Sequence, residues 1–401
     1  MHPLHQPRLG RRAALLGLGA AITLGRASLA VAAAPTERRL VVVILRGALD
    51  GMAAVVPYGD AALAGLRANL ALPEPGAAGG LLDLGGFFGL HPALAGLHGM
   101  YHAGDLLPVH AVAGHVRTRS HFEAQDLMES GADQRLSSGW LNRAVQAMPP
   151  RPASGAPLSV GVSLPLLLRG PAVVGSFAPS GLTQPLPDLY AKLAALHAAD
   201  PVTGPAFRQG LQERGFATAQ LAGGDVRGGA QPDRNGFPAL AATAGKLLAA
   251  PDGPRIAAME LGGWDTHQAQ AQRLNRPLQQ LDAGLVALRD ALGPVWAGTA
   301  VLVMTEFGRT AHANGTGGTD HGTGTVAFVA GGAVRGGRVL ADWPGLGDGQ
   351  LLDGRDLQPT LDLRALAKGL LAAHLGLPPP ALLRAFPGSE AISPVSGLMR
   401  A

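Results

Sequence analysis

Cysteine is absent from the 401-residue chain. That excludes disulfides and thiolate metal sites, leaving imidazole, carboxylate and neutral oxygen as the donors for any metal. Aromatic residues make up only 4%, and lysine occurs only at Lys192, Lys246 and Lys368. No basic run follows residue 40 and no basic patch is interleaved with aromatics, so nucleic acid is not an expected partner. No apolar run approaches the ~20 residues that cross a bilayer as a helix, so no stable membrane span is expected. Charged residues are few at 15%, but 47% of the chain is hydrophobic, which excludes a disordered polyelectrolyte. Glycine (58) and proline (32) are abundant without a period of three, so the chain is not collagen-like.

The net charge of +4 is local. Residues 1–34 hold Arg8, Arg11, Arg12 and Arg26 and no acid; removing those four from 32 basic residues leaves 28 against 28 acidic ones. Arg11-Arg12 precedes the apolar run Ala13–Leu24, and small residues follow from Ala30 to Ala34. A charged start, a short apolar stretch and a small-residue zone read as a cleaved signal peptide. The twin arginine before a mild apolar run points to the Tat translocon, and hence to a periplasmic or secreted protein. Cleavage is expected between Ala30 and Ala34, with residues 35–401 forming a single domain.

Arg39–Leu45 (RLVVVIL) is a continuous apolar run, as in a strand buried on both faces. Similar runs occur at Leu106–Val112, Leu158–Val162, Arg255–Leu261, Thr299–Thr305 and Thr325–Ala330. Helical patterns lie between them, including Asp60–Leu70, Pro92–Tyr101, His121–Gly131, Leu186–His197, Phe207–Leu221, Phe237–Ala250, Gln268–Leu292 and Thr360–Leu375. The alternation predicts an α/β fold: a doubly wound, mostly parallel sheet sandwiched by helices. Residues 183–251 show no clear strand and are a candidate helical cap insertion. Ligands of such sheets bind beyond the carboxyl ends of the strands, so the residues that follow each run carry the functional signal.

Those residues are chemically rich. Asp50 follows the first run; Arg119, Ser120 and His121 follow the second; Asp265 and His267 follow RIAAMEL; Glu306 and Arg309 follow TAVLVMT; Asp320 and His321 precede the last run. Each also has a plainer reading. Asp50 beside Gly51 fits a turn cap, and Ser120 with Glu123 fits a capping box, S-x-x-E. A serine opening a helix nevertheless faces backbone N–H groups that attract anions. Oxygen and imidazole donors from five segments suit one or two divalent cations, Zn, Mn, Mg or Ca. His91, His98, His102, His110 and His374 lie within helical or strand patterns and are assigned to structure or surface.

The motifs LRGALDG, RTRSHFEAQD, GGWDTH, TEFGRT and GGTDHG behind a Tat-type leader resemble the bacterial family of domain of unknown function 1501, over about residues 39 to 376. That family is regarded as part of the alkaline phosphatase and sulfatase superfamily. The resemblance implies an alkaline phosphatase-like α/β sandwich with metal at the strand ends. It implies Asp50 as a metal ligand after the first strand and Ser120 as a nucleophile opening a helix. Asp265 and His267 would hold one metal, although the usual spacing is D-x-x-x-H. Glu306-Phe307 stands where an Asp-His pair is expected, so one histidine is missing. Asp320 and His321 correspond to the final histidine and its neighbour.

The function so implied is a metal-dependent hydrolase of small or polymer-borne phosphate or sulfate esters. Ser120 would attack, the metal would activate it, and Arg309 or Arg119 would clamp the non-bridging oxygens. The departures at Glu306-Phe307 and Asp265-x-His267 fit an alternative: a catalytically silent secreted binding or assembly protein that keeps the fold and a structural metal.

Overall fold

A computed structural model describes residues 37–148, 155–161, 163–178 and 232–400. The leader (1–34) and the predicted helices Leu186–His197 and Phe207–Leu221 lie outside the described residues. The strands are β1 (Arg39–Arg46), β2 (Val55–Val56), β3 (Leu82–Asp83), β4 (Gly89–Leu90), β5 (Leu106–Ala113), β6 (Leu158–Val160), β7 (Gly175–Phe177), β8 (Ile256–Gly262), β9 (Thr299–Thr305), β10 (Thr325–Ala330) and β11 (Leu361–Asp362). Eight of them form one sheet in the order β11-β5-β10-β9-β1-β8-β6-β7, and β2, β4 and β3 form a small second sheet. In the large sheet every described pairing is parallel except those of β10, which runs antiparallel to both β5 and β9.

That one reversal positions the site. The carboxyl ends of β1, β5, β8 and β9 share an edge, and the antiparallel β10 brings its amino end, with Asp320 and His321 just before it, to the same edge.

Helices cover both faces. They are α1 (Gly51–Ala54), α2 (Leu63–Arg67), α3 (Ala95–His102), α4 (His121–Ser130), α5 (Trp140–Gln146), α6 (Pro232–Ala249, interrupted at Gly236), α7 (Gln270–Arg273), α8 (Asn275–Leu292), α9 (Leu363–Ala373) and α10 (Pro379–Ala385). Alternate residues of β1 feed two cores. Val41, Val43 and Leu45 join Leu278, Leu281, Leu285 and Leu288 of α8 on one face. Leu40, Val42 and Ile44 join Trp140, Leu366 and Leu370 on the other. The spacing of the α8 leucines makes one apolar stripe, and each fully buried leucine contributes roughly 1.5–3 kcal/mol. The end of the expected insertion, residues 232–249, is α6, whose Phe237, Ala241, Ala244, Leu247 and Leu248 join the same core as α8. No helix among the described residues is long and apolar enough to cross a membrane.

Candidate metal centre

Each histidine at the shared edge has one ring nitrogen tied to an acceptor behind it. His121, first residue of α4, donates from Nδ1 to Glu306 Oε1 at 2.8 Å. His267 donates from Nδ1 to Asp320 Oδ1 at 3.1 Å. His321 donates from Nδ1 to the Arg119 carbonyl at 2.8 Å. A carboxylate or carbonyl can only accept, so each Nδ1 carries a proton, and in the neutral tautomer of each ring Nε2 is left with the lone pair that a metal takes.

Those lone pairs converge. The Nε2 atoms of His267 and His321 are 2.9 Å apart. They lie 3.0 Å and 3.3 Å from Asp265 Oδ1. His121 Nε2 lies 3.6 Å from Asp265 Oδ2 and is buried without a hydrogen-bond partner. In that tautomer the lone pairs face one another and an anion, an arrangement that a bound cation would relieve. His121, Asp265 and His321 place their donor atoms within 4.8 Å of one another, close enough to share a metal ion, and His267 lies against the Asp265 carboxylate oxygen. Among the expected cations, nitrogen-rich donors suit Zn better than Mn, Mg or Ca.

The residues behind the rings set their electrostatics. Burial works to raise the Glu306 carboxyl, but donors from His121, Gln125 and Thr305 outweigh it and hold it below its ordinary range. The Glu306 hydrogen bond in turn raises His121 despite burial. Burial lowers His321, which favours the neutral ring that a metal requires. At Asp265 burial again acts upward, but Arg309 and the neighbouring imidazoles keep the carboxyl low and hence ionised. The His267 hydrogen bond does the same for Asp320.

Backbone proximity at the site depends on glycine. Gly47 has φ +119°, and a Cβ there would lie 2.9 Å from the Asp265 amide nitrogen. A Cβ on Gly318 would lie 2.2 Å from the His267 carbonyl carbon. Neither position admits a side chain without moving a ligand loop.

Several expectations need correction. Asp50 is fully buried but stands apart from the centre. Arg67 donates to both of its oxygens (2.9 and 2.7 Å), Ala53 N to Oδ1 (3.2 Å) and Gln270 Nε2 to Oδ2 (2.6 Å). Its lone-pair directions are thus taken by protein donors, which makes it a structural anchor rather than a ligand. Glu306 stands behind His121 and outside the grouped donor atoms: Oε1 also accepts from Gly47 N and Gln125 Nε2, both at 2.9 Å. Asp320 likewise orients His267. Arg309 is not a substrate clamp. It is buried, and it donates to the carbonyls of Ala48, Thr319, Gly47 and Trp264 and to Asp265. The Ser120–Glu123 capping box does not form: Glu123 Oε2 accepts from Thr118 Oγ1 at 2.7 Å, and Thr118 Oγ1 accepts from Ser120 N at 3.3 Å. Ser120 is exposed beside His121, and its hydroxyl makes no hydrogen bond among the described residues. Arg119 lies at the rim, partly exposed and paired with Asp356.

Sequence reasoning missed His121, which the structure groups with Asp265 and His321. Its signal was its place directly after Ser120 at the end of a strand run, where the serine drew attention instead. Arg67 was missed too, because nothing local links it to Asp50. Breaking that pair should be costly: Arg67→Ala leaves a buried carboxylate unpaired and should lower unfolding free energy by about 3–5 kcal/mol. Urea denaturation checks this, and an unchanged midpoint would remove the anchoring role.

The fold and the site together define an α/β protein with an imidazole- and carboxylate-lined centre at the strand ends. The chain belongs to the family described as Protein of unknown function (DUF1501), whose profile matches residues 112–381. That span includes all four donors of the centre but not Asp50. No curated protein matches the chain.

Proposed function

We propose that the protein is a metal-dependent hydrolase of phosphate or sulfate esters, built on an alkaline phosphatase-like fold. The observation that carries the reading is the convergence of three imidazole Nε2 lone pairs on Asp265, each ring locked by its Nδ1 hydrogen bond. His121, Asp265, His267 and His321 would hold one divalent ion, with Zn the best match to the donors. When bound, such an ion supplies positive charge that polarises the ester and favours an ionised nucleophile.

The chain's own residues supply the rest. Ser120 offers an unencumbered hydroxyl next to His121, at the amino end of α4, where backbone N–H groups favour an anion. Its oxygen would bond to phosphorus or sulfur as the ester oxygen leaves, and water would later release the group. Glu306 and Asp320 fix two of the rings, and Arg309 fixes the loops that present Asp265. Donor atoms of His121, Asp265 and His321 within 4.8 Å of one another, with His267 against two of them, support a single ion rather than a pair.

One feature favours the silent alternative: four protein donors can close a tetrahedral zinc sphere, as structural sites do. An aryl phosphate and aryl sulfate screen of the metal-loaded protein separates the two. Metal-dependent turnover supports the hydrolase, and stoichiometric metal without turnover of either ester class supports the silent protein.

Export belongs to the same proposal. The Arg11-Arg12 leader would direct the folded protein through the Tat translocon to the periplasm. Replacing both arginines by lysine should retain precursor in the cytoplasm, and unimpaired export of that variant would refute the assignment.

A further inference from the structure

Arg309 is spent on backbone carbonyls, yet the rim of the centre still carries guanidinium groups with donors to spare. They meet on Asp356, a fully buried carboxylate that the sequence did not single out. Asp356 Oδ2 accepts from Thr323 Oγ1 at 2.8 Å and from Arg119 Nη2 at 3.1 Å. Its Oδ1 accepts from Arg355 Nη1 at 3.0 Å. One buried anion therefore tethers two cations, and Arg355 also acts on the exposed Asp320 carboxylate beside them.

Both arginines also grip His321, from opposite ends of that residue. The Arg119 carbonyl accepts from His321 Nδ1 at 2.8 Å, and Arg355 Nη2 donates to the His321 carbonyl at 2.8 Å. Their side chains stay partly open, 46% exposed for Arg119 and 36% for Arg355. Nε of each has no protein acceptor among the described residues, and Arg119 uses only Nη2 within the protein. A guanidinium has five N–H donors in a planar fork that matches a tetrahedral oxyanion. Tethering on a buried carboxylate reduces the conformational freedom each fork would lose on binding.

We propose that Arg119 and Arg355, held together by Asp356, recognise the oxyanion of a phosphate or sulfate group beside His321. Arg355 takes the clamping role expected of Arg309. This rests on the hydrolase reading and deepens it: the substrate is anionic at the transferred group, and Ser120, next to Arg119 in the chain, lies between the clamp and the centre in sequence.

The test titrates inorganic phosphate into the full chain, with and without zinc, for the parent, Arg355→Gln and Arg355→Lys. Zinc uptake is measured separately in all three and phosphate affinities are compared at equal zinc occupancy, because Arg355 touches no donor atom of the centre but does hold the His321 carbonyl. Phosphate affinity should fall roughly ten- to a hundredfold in Arg355→Gln, the loss expected for charge-assisted hydrogen bonds. Arg355→Lys should recover only part of it, since lysine keeps the charge and loses the fork. Undiminished phosphate binding by Arg355→Gln overturns the proposal, as does no phosphate binding by either form of the parent. Arg355-dependent phosphate binding by a protein that never takes up zinc would retain the clamp and remove the metal reading alone.

Discussion

His321→Ala protein is expected to leave dialysis against zinc or manganese with no stoichiometric metal, where the parent retains one ion per chain. His321 Nε2 sits against both His267 Nε2 and Asp265 Oδ1, so its removal opens the middle of the donor set. Two imidazoles and a carboxylate can hold zinc when they surround it, but His321 is the ring that contacts both His121 and His267, and its loss removes what links them. The fold should persist, because the ring is partly exposed and the Arg119 carbonyl it frees can turn to water. Glu306→Gln should give a graded effect. It keeps every ligand but weakens the acceptor that fixes the His121 tautomer, and changes of this kind cost about 10–100-fold in metal affinity. Elemental analysis of the variants measures both. Full retention by His321→Ala would remove His321 from the coordination sphere, and equal losses in both variants would mean that Glu306 itself binds the ion.

Ser120→Gly is expected to lose at least about 10³-fold in ester hydrolysis while folding and metal uptake stay as in the parent. The structure sharpens this contrast. A serine that capped α4 through its side chain would cost about 1 kcal/mol on removal, but Ser120 makes no such bond, and glycine is tolerated at N-caps. Thr118 satisfies Glu123 and the Ser120 amide instead. Stability should thus be nearly blind to the substitution, and a rate loss would report on chemistry alone. Steady-state turnover of an aryl ester, paired with thermal unfolding, checks it. Near-full turnover in the glycine variant would refute the covalent step and make water, oriented by the residues around His321, the attacking group.

Much of this was readable from the chain because the sheet is buried on both faces. Runs such as RLVVVIL and TAVLVMT have no polar alternation to confuse them, and their observed bounds, Arg39–Arg46 and Thr299–Thr305, lie within a residue of those expected. The strand-end rule then picked out Asp265, His267 and His321, which the structure brings together with His121. It missed what depends on direction and on side-chain partners. The reversal of β10 has no local signature, because a buried antiparallel strand is as apolar as a parallel one. Asp50, Glu306 and Arg309 were assigned outward roles, yet each is buried at an element end and saturated by donors or acceptors from distant segments. Spacing along the chain does not reveal whether a carboxylate faces an ion or an arginine. Gly175–Phe177 and the small sheet of β2, β4 and β3 were missed because two- and three-residue strands leave no periodicity to detect.

The central claim is that three imidazoles and one carboxylate share an ion, and zinc-edge anomalous diffraction from crystals of the zinc-loaded protein tests it most directly. The account predicts one strong anomalous peak per chain, with Nε2 of His121, His267 and His321 at about 2.0–2.1 Å and an Asp265 oxygen at about 2.0–2.2 Å. A peak on Asp50 or Glu306, or a zinc-free centre in crystals grown with zinc, would contradict it.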